Sequence, residues 1–208
     1  MIRKILSILK YKLSPFKSEL YWDKRYSQNK TSGSGSYGKL AKYKAKIINE
    51  FILENNIDNV IEWGCGDGNQ LKYMHYNNYI GYDISPAIIS KCKKLFKNDR
   101  TRKFELNNNY KNETADLSLS LDVIFHLIED DIFDDYMNRL FNSSRKYVII
   151  YSSNTNKQPD KKVVHFKNRK FTDWIDLYKN NFKLIKFIKN EYPVALSVSD
   201  FYIYKKND

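Results

Sequence analysis

The stretch VIEWGCGDGNQL, residues 60–71, decides the fold. Apolar residues lead into an acid, three glycines follow at alternate positions, and a helical pattern begins after them. This order predicts a buried strand over residues 58–63, ending in a turn whose backbone comes very close to a ligand. Glycine suits such a turn because it lacks a Cβ atom and accepts positive φ. A helix near residues 68–75 would aim free N–H groups and a positive dipole end at the same place.

A second acidic turn follows at Asp83. Residues 79–85 read as a short strand that ends in this acid, and Pro86 begins a helix that runs to residue 97. Asp83 lies nineteen positions after Gly64, near the interval of about 20 residues at which an acid binds ribose hydroxyls in nucleotide-binding folds. Two roles are open for Asp83: a ribose acceptor, or a helix N-cap.

The spacing of the glycines distinguishes two kinds of cofactor site. Gly64, Gly66 and Gly68 form G-x-G-x-G, whereas the dinucleotide fingerprint is G-x-G-x-x-G. With Glu62 in front, the pattern resembles motif I of class I S-adenosylmethionine-dependent methyltransferases. The resemblance covers residues 21–208 and implies S-adenosyl-L-methionine as cofactor, with Glu62, the three glycines and Asp83 in its site. A plain tight loop is the alternative interpretation of the glycines.

The order of the remaining elements agrees with that resemblance. Strands that alternate with helices, followed by a closing antiparallel pair, predict an α/β fold. The expected architecture is a Rossmann-like seven-stranded class I methyltransferase sheet with helices on both faces, in a domain over residues 21–208. The further predicted strands are 102–106, 116–121, 146–152, 182–189 and 198–205, and the further predicted helices are 39–54, 129–143 and one around Trp174.

Composition limits the class of protein and its surroundings. A chain of 208 residues with 42% apolar content builds one domain with a sizeable core, which excludes a disordered chain. No run of eighteen apolar residues occurs, so no spanning helix is predicted. Cys65 and Cys92 are too few for a disulfide framework or a metal site, and a cytoplasmic location is expected.

The net charge of +12 has two interpretations. It could mark a nucleic-acid surface, with RNA on the Lys-rich loop 155–170. However, only seven of the 36 basic residues are Arg, the side chain best suited to forked phosphate contacts, and a general compositional bias explains the Lys equally well. The signatures of the best-known DNA methyltransferases, Asn/Asp-Pro-Pro-aromatic and Pro-Cys, are absent from the sequence.

Residues 1–20 form a separate N-terminal segment, predicted as an amphipathic basic helix. Within residues 1–17 there are five basic residues and no acid. Such a helix rests on an anionic membrane surface, or it packs on the domain or on a second subunit. The first alternative places the chain peripherally at the inner face of the membrane. The apolar residues that share one face of this helix are Ile2, Ile5, Leu6, Leu9 and Leu13.

Residues 21–44 join this segment to the first strand. A Gly/Ser run, residues 32–38, lies between aromatic residues, and it is either a flexible linker or a cover segment that closes over the cofactor. In many class I methyltransferases the preceding segment plays the covering part. By that resemblance, Tyr26, Ser36 and Lys44 are candidates for binding the methionine carboxylate.

Two later stretches extend the predicted cofactor site. Many methyltransferases carry an acid after the third strand that accepts a hydrogen bond from the adenine amino group. This chain has an Asn run there, residues 107–109, and Asn108 is the candidate because an amide carbonyl also accepts such a bond. Ser120-Leu121-Asp122 then resembles motif IV of small-molecule and glycan methyltransferases, which places Ser120 and Asp122 in the site.

Three side chains are predicted to act on the methyl acceptor. His126 and His165 are candidate general bases, since an imidazole takes a proton near neutral pH, and a structural role is the alternative for each. Arg169 is a candidate for binding a phosphate or carboxylate of the acceptor. Residues 32–44, 120–127 and 165–174 look similar to short bacterial methyltransferases of surface-polysaccharide biosynthesis.

That similarity implies O-methylation of a sugar, or of a small group on it, in a glycan precursor. Two alternatives keep the same cofactor: an RNA methyltransferase, and a non-catalytic cofactor-binding module. The sequence leaves the oligomeric state open.

Overall fold

A computed structural model describes residues 16–161 and 163–207, and most of the predicted N-terminal helix of residues 1–20, namely residues 1–15, lies outside them. Five helices are described: α1 (Ser18–Ser27), α2 (Gly38–Glu54), α3 (Pro86–Leu95), α4 (Asp130–Asn142) and α5 (Phe171–Tyr178). The strands are β1 (Asn59–Trp63), β2 (Asn78–Asp83), β3 (Arg102–Leu106), β4 (Ala115–Leu121), β5 (Ser144–Ser152), β6 (Phe182–Ile188) and β7 (Asp200–Lys206).

The seven strands form one sheet in the order β3-β2-β1-β4-β5-β7-β6. Strands β1 to β5 are parallel, and β7 runs antiparallel between β5 and β6. The predicted fold class is confirmed. Because the strand order reverses between β1 and β4, the carboxyl ends of these two strands define the crevice in which such sheets bind ligands.

Alternate side chains of the central strands enter two hydrophobic cores, one on each face of the sheet. Leu117 and Leu119 of β4 pack on one face, together with residues of α2 and α3. Ile61 of β1 and Val148 of β5 pack on the other face, with residues of α4. Both faces of β4 are buried, and the residues that alternate with its leucines include the small Ser118 and Ser120, whose hydroxyls bond to those of Ser143 and Tyr136.

The helix predicted near residues 68–75 is wrong. The chain forms only a short 3₁₀ helix, Asn69–Tyr73, and then runs extended into β2. Nine residues separate Gly68 from Asn78. As an α-helix they would span about 14 Å, less than the ~16 Å length of β1 that the crossover must retrace. A 3₁₀ turn followed by extended chain covers the distance.

Candidate active site

A cleft of about 710 Å³ opens at the carboxyl edge of the sheet. Its size falls within the range of ~300–1,000 Å³ that is typical of small-molecule sites. The glycine turn and the ends of β2, β3 and β4 form its floor, whereas α1 and the Gly/Ser segment form one wall. The loop between β6 and β7, residues 189–199, contributes a third side through Val194 and its neighbours.

All three glycines of the turn have positive φ: +78° at Gly64, +56° at Gly66 and +69° at Gly68. Gly64 and Gly66 line the cleft. A Cβ atom on Gly66 would lie 2.4 Å from the Ser32 hydroxyl, and one on Gly64 would lie 2.5 Å from a methyl group of Val123. Glycine is therefore required at these positions by conformation and by space.

Glu62 lies beneath the turn and does not line the cleft. Its carboxylate is completely buried and accepts hydrogen bonds from the Tyr79 hydroxyl (2.7 Å) and from Nε2 of Gln70 (2.8 Å). Burial raises the pKa of Glu62 to about 7. Gly68 is also directed away from the cleft, against Phe96. Glu62 and Gly68 therefore support the turn from the side opposite the cleft.

Asp83 is placed where the sequence predicted it, at the end of β2 and in the cleft. Its carboxylate accepts hydrogen bonds from the backbone N–H of Gly66 (3.0 Å) and of Ser85 (3.1 Å). Burial raises its pKa to about 6. The helix N-cap is Ser85, whose hydroxyl accepts from the Ile88 N–H. Each oxygen of Asp83 keeps a lone pair for a ligand hydroxyl.

The Asn run forms a 3₁₀ turn after β3, and both Asn107 and Asn108 border the cleft. Oδ1 of Asn107 is buried and has no hydrogen-bond partner among the described residues. A buried carbonyl without a donor is costly, so this atom marks a place where a ligand donor fits. Asn108, the predicted adenine contact, is exposed. Arg139 holds the turn by donating to the Asn107 backbone carbonyl (2.9 Å).

The Gly/Ser segment is tied to the glycine turn mainly through Asp67. Oδ2 of Asp67 accepts from the Ser32 N–H (2.9 Å) and from the Tyr37 hydroxyl (2.8 Å), and the Asp67 N–H donates to Oγ of Ser32 (2.9 Å). Tyr26 is buried beside Ser32, and its hydroxyl lies 3.2 Å from Ser32 Oγ. Tyr26 and Ser36 both line the cleft. The segment therefore packs on the turn in this structure, and its covering role stays a prediction.

Lys44 is completely buried, and its ammonium group forms a 2.8 Å ion pair with Asp122. The other oxygen of Asp122 accepts from the Ser199 hydroxyl (2.7 Å). Asp122 borders the cleft with φ at +60°, whereas Lys44 does not border it. Ser120 is buried under the cleft, where the Tyr136 hydroxyl donates to it (2.7 Å). Lys44 therefore holds Asp122 in place and Ser120 holds Tyr136, and these two partners border the cleft.

His126 and His165 come together at the outer end of the cleft, with ring centroids 5.6 Å apart. Nδ1 of His126 lies 2.7 Å from the backbone carbonyl of His165. Since a carbonyl only accepts, Nδ1 carries the proton and Nε2 has the lone pair. Burial lowers the pKa of His126 to about 4, so its ring is neutral at pH 7. Trp22 of α1 packs edge-on against it at 4.7 Å.

Arg169, the predicted acceptor contact, is used within the protein. Its guanidinium donates to the backbone carbonyls of Leu127 and Ile128, pairs with Asp130, and lies over the ring of Phe133. It does not line the cleft. These contacts attach the loop before α5 to the start of α4.

Arg25 of α1 lines the cleft and was overlooked by sequence reasoning, as was Arg139. Nε of Arg25 donates to the Thr31 carbonyl (2.8 Å), and its guanidinium lies 5.7 Å from the ring centre of Trp22. No carboxylate of the described residues forms an ion pair with it. The spacing of Ser18, Trp22 and Arg25 along one helical face is the signal that could have revealed this wall.

Comparison with known proteins agrees with this geometry. Residues 61–146 match the family described as "Methyltransferase domain". The N-methyltransferase NodS from Bradyrhizobium japonicum, solved with S-adenosylhomocysteine, superposes with a TM-score of 0.71 at 9% identity over 93% of this chain and 100% of that one. Magnesium protoporphyrin IX methyltransferase from Synechocystis, solved with S-adenosylmethionine, gives 0.66 at 12% identity over 93% and 99%. A search of curated proteins gives no match.

At such identities the superpositions establish the fold, and the family match adds the activity. The fold is that of class I methyltransferases, the protein is an S-adenosylmethionine-dependent methyltransferase, and S-adenosyl-L-methionine is its cofactor. The cofactor, when bound, supplies a methyl group activated on a sulfonium. The cleft fits it: Gly64 and Gly66 line it without side chains, Asp83 has acceptor capacity for hydroxyls, and Asn107 has a buried carbonyl without a partner among the described residues.

Proposed function

We propose that this enzyme methylates a hydroxyl oxygen of a sugar, or of a small group on a sugar, in a surface-glycan precursor. The observation that carries the proposal is the state of His126. Its Nδ1 proton is held by a backbone carbonyl, so the lone pair of Nε2 is the one that a ligand can use. A hydroxyl acceptor loses a proton during methyl transfer, and a neutral imidazole at the cleft accepts it.

The chemistry requires few groups from the protein. The acceptor oxygen forms a bond to the methyl carbon while the carbon–sulfur bond breaks, and the hydroxyl proton passes to Nε2 of His126. Alignment of the reacting atoms supplies much of the acceleration in such a displacement. A pKa of about 4 makes His126 a weak base. We therefore expect His126 to take the proton while the methyl group is being transferred, because the acceptor hydroxyl becomes strongly acidic at that stage.

We assign the cofactor contacts in the same cleft. Asp83 accepts from the ribose hydroxyls, and Oδ1 of Asn107 accepts from the adenine amino group. The methionine carboxylate pairs with Arg25, because the ammonium group of Lys44 is already engaged by Asp122. Tyr26 and Ser36 remain candidates for the same carboxylate, since both border the cleft.

The outer half of the cleft supports a ring-shaped acceptor. Trp22 and Phe125 offer aromatic faces, and Val194 and Leu196 offer aliphatic groups across the opening. The apolar face of a sugar ring can pack between such walls while its hydroxyl groups reach polar atoms. The resemblance predicted for residues 32–44 and 120–127, to methyltransferases of polysaccharide biosynthesis, implies the same class of acceptor.

The test is a screen of nucleotide sugars with purified enzyme and S-adenosylmethionine, read by mass spectrometry as the gain of one methylene. The matched variant is His126→Asn, whose amide can still donate to the His165 carbonyl but has no basic nitrogen. We expect turnover to fall by about 10²–10⁴ with cofactor affinity unchanged. A variant that methylates at the wild-type rate would refute the base, and methylation of RNA or of an amine alone would refute the acceptor class.

A further inference from the structure

We propose that the mouth of the cleft docks on an anionic membrane surface. Five of the aliphatic side chains exposed around it are here called the apolar rim. Val194, Leu196 and Val198 line the cleft with 77%, 43% and 42% of their surface exposed. Val163 and Val164, exposed by 40% and 58%, directly precede His165, which lines the cleft as well. Exposed apolar groups concentrated at one opening indicate a surface that is covered in function.

The N-terminal segment joins the described structure beside this rim. The ring of Phe16 lies 5.6 Å from Tyr21, and Tyr21 stacks on His165 with ring centroids 4.7 Å apart. The described residues thus begin close to the cleft mouth, and fifteen residues precede them in the sequence. The sequence of these fifteen residues combines Ile2, Ile5, Leu6, Leu9 and Leu13 with basic residues and no acid.

Charge around the rim favours an anionic partner. The loop before His165 contains Lys157, Lys161 and Lys162 against a single acid, Asp160. Farther along the same loop, Lys167 is neutralised by an ion pair with Asp130. Lysines close to exposed aliphatic groups are typical of proteins that rest on lipid, because the apolar groups enter the interface and the ammonium groups attract anionic headgroups.

The exposed aliphatic groups of the apolar rim favour lipid over RNA as the partner of this surface. RNA would contact the lysines but would leave Val163, Val164 and Val198 facing water, whereas a bilayer interface covers both kinds of side chain. None of the described helices is long and apolar enough to cross a membrane. The contact we infer is therefore peripheral, with the cleft mouth turned to the lipid surface. This proposal goes beyond the methyl acceptor and does not depend on its identity.

The experiment is co-sedimentation of the full chain with phosphatidylcholine vesicles, with and without roughly one third phosphatidylglycerol. We expect at least tenfold stronger partitioning onto the anionic vesicles, and loss of most of it at high salt. The double variant Val163→Asp, Val164→Asp should lower partitioning at least tenfold. Leu53→Asp is the matched control: Leu53 is 81% exposed near the end of α2, on the side of the sheet where β1 begins.

The thermal unfolding midpoint verifies that each variant is folded. Absence of binding to anionic vesicles would overturn the proposal, and so would equal partitioning by the double variant and the Leu53→Asp control. Retention on RNA without retention on vesicles would assign the basic surface to nucleic acid instead. Since the assay needs neither cofactor nor acceptor, its failure is separate from any failure of the proposed methylation.

Discussion

Replacing Gly66 by alanine tests the central feature of the cofactor site. The new Cβ atom would lie 2.4 Å from Oγ of Ser32 and 3.3 Å from the Tyr26 hydroxyl. Ser32 would have to rotate away, which breaks its bonds with the Asp67 N–H and with the Tyr26 hydroxyl. These three residues connect the Gly/Ser segment to the turn, so the change separates the two sides of the cleft at their closest approach.

The structure gives the size of the effect. Two hydrogen bonds at ~1 kcal/mol each amount to about 2 kcal/mol. If the cofactor binds only the conformation in which the segment and the turn are connected, disfavouring that conformation by this amount lowers the affinity by up to roughly 30-fold. Gly66 also has φ at +56°, and a side chain there adds ~1–2 kcal/mol of backbone strain that lowers folding stability. Gly38 has the same φ of +56°, and a Cβ atom added to it would have no other atom within 4 Å. Gly38→Ala therefore reproduces the strain without the collision.

Calorimetric titration with S-adenosylhomocysteine, together with thermal unfolding, separates the two effects. Gly38→Ala should lose about 2–8 °C in unfolding midpoint and Gly66→Ala more than that, because it also breaks the bonds of Ser32, whereas only Gly66→Ala should lose cofactor affinity. If Gly66→Ala binds S-adenosylhomocysteine as tightly as Gly38→Ala does, the turn is not where the cofactor lies against the backbone. A loss of affinity in both variants would show that strain alone is responsible.

Three further predictions concern the polar groups of the cleft. Because burial raises the pKa of Asp83 to about 6, S-adenosylhomocysteine affinity should fall as pH drops through 6, and Asp83→Asn should abolish that dependence. Titration calorimetry should show Asn107→Ala weakening the same ligand by about five- to tenfold, and Asn108→Ala leaving affinity nearly unchanged. Lys44→Met should lower the free energy of unfolding by about 3 kcal/mol in urea denaturation, since Asp122 loses its cation; recovery by added Asp122→Asn would confirm the pairing, and no recovery would contradict it.

The sequence predicted those features that local chemistry determines. Strand β3 has the predicted limits, and Asp83 ends β2 in the cleft, because an apolar run closed by an acid and a proline is a local signal. The glycines at 64 and 66 were likewise identified from spacing, and both take positive φ where a side chain would collide.

Features that depend on pairing between distant residues could not be predicted. Lys44 has the sequence context of a solvated helix lysine, yet it is buried because Asp122, 78 positions later, faces it. The ion pair of Arg169 could not be predicted for the same reason, since its partner Asp130 lies 39 positions earlier, at the start of α4. Within the Asn run, the choice between Asn107 and Asn108 depends on which way a short turn faces, and composition contains no information about that.

The way in which the loop between β6 and β7 is anchored has a consequence for the evolution of the site. Asn190 donates to the Tyr151 hydroxyl and the Ser199 carbonyl, and the hydroxyl of Ser197 bonds to that of Tyr151, so both ends of the loop are anchored on β5 and β7. Val194 and the residues beside it have no such anchors among the described contacts. Mutations at this tip can therefore accumulate without disturbing the cofactor residues, which gives descendants of this chain an easy evolutionary route to new methyl acceptors.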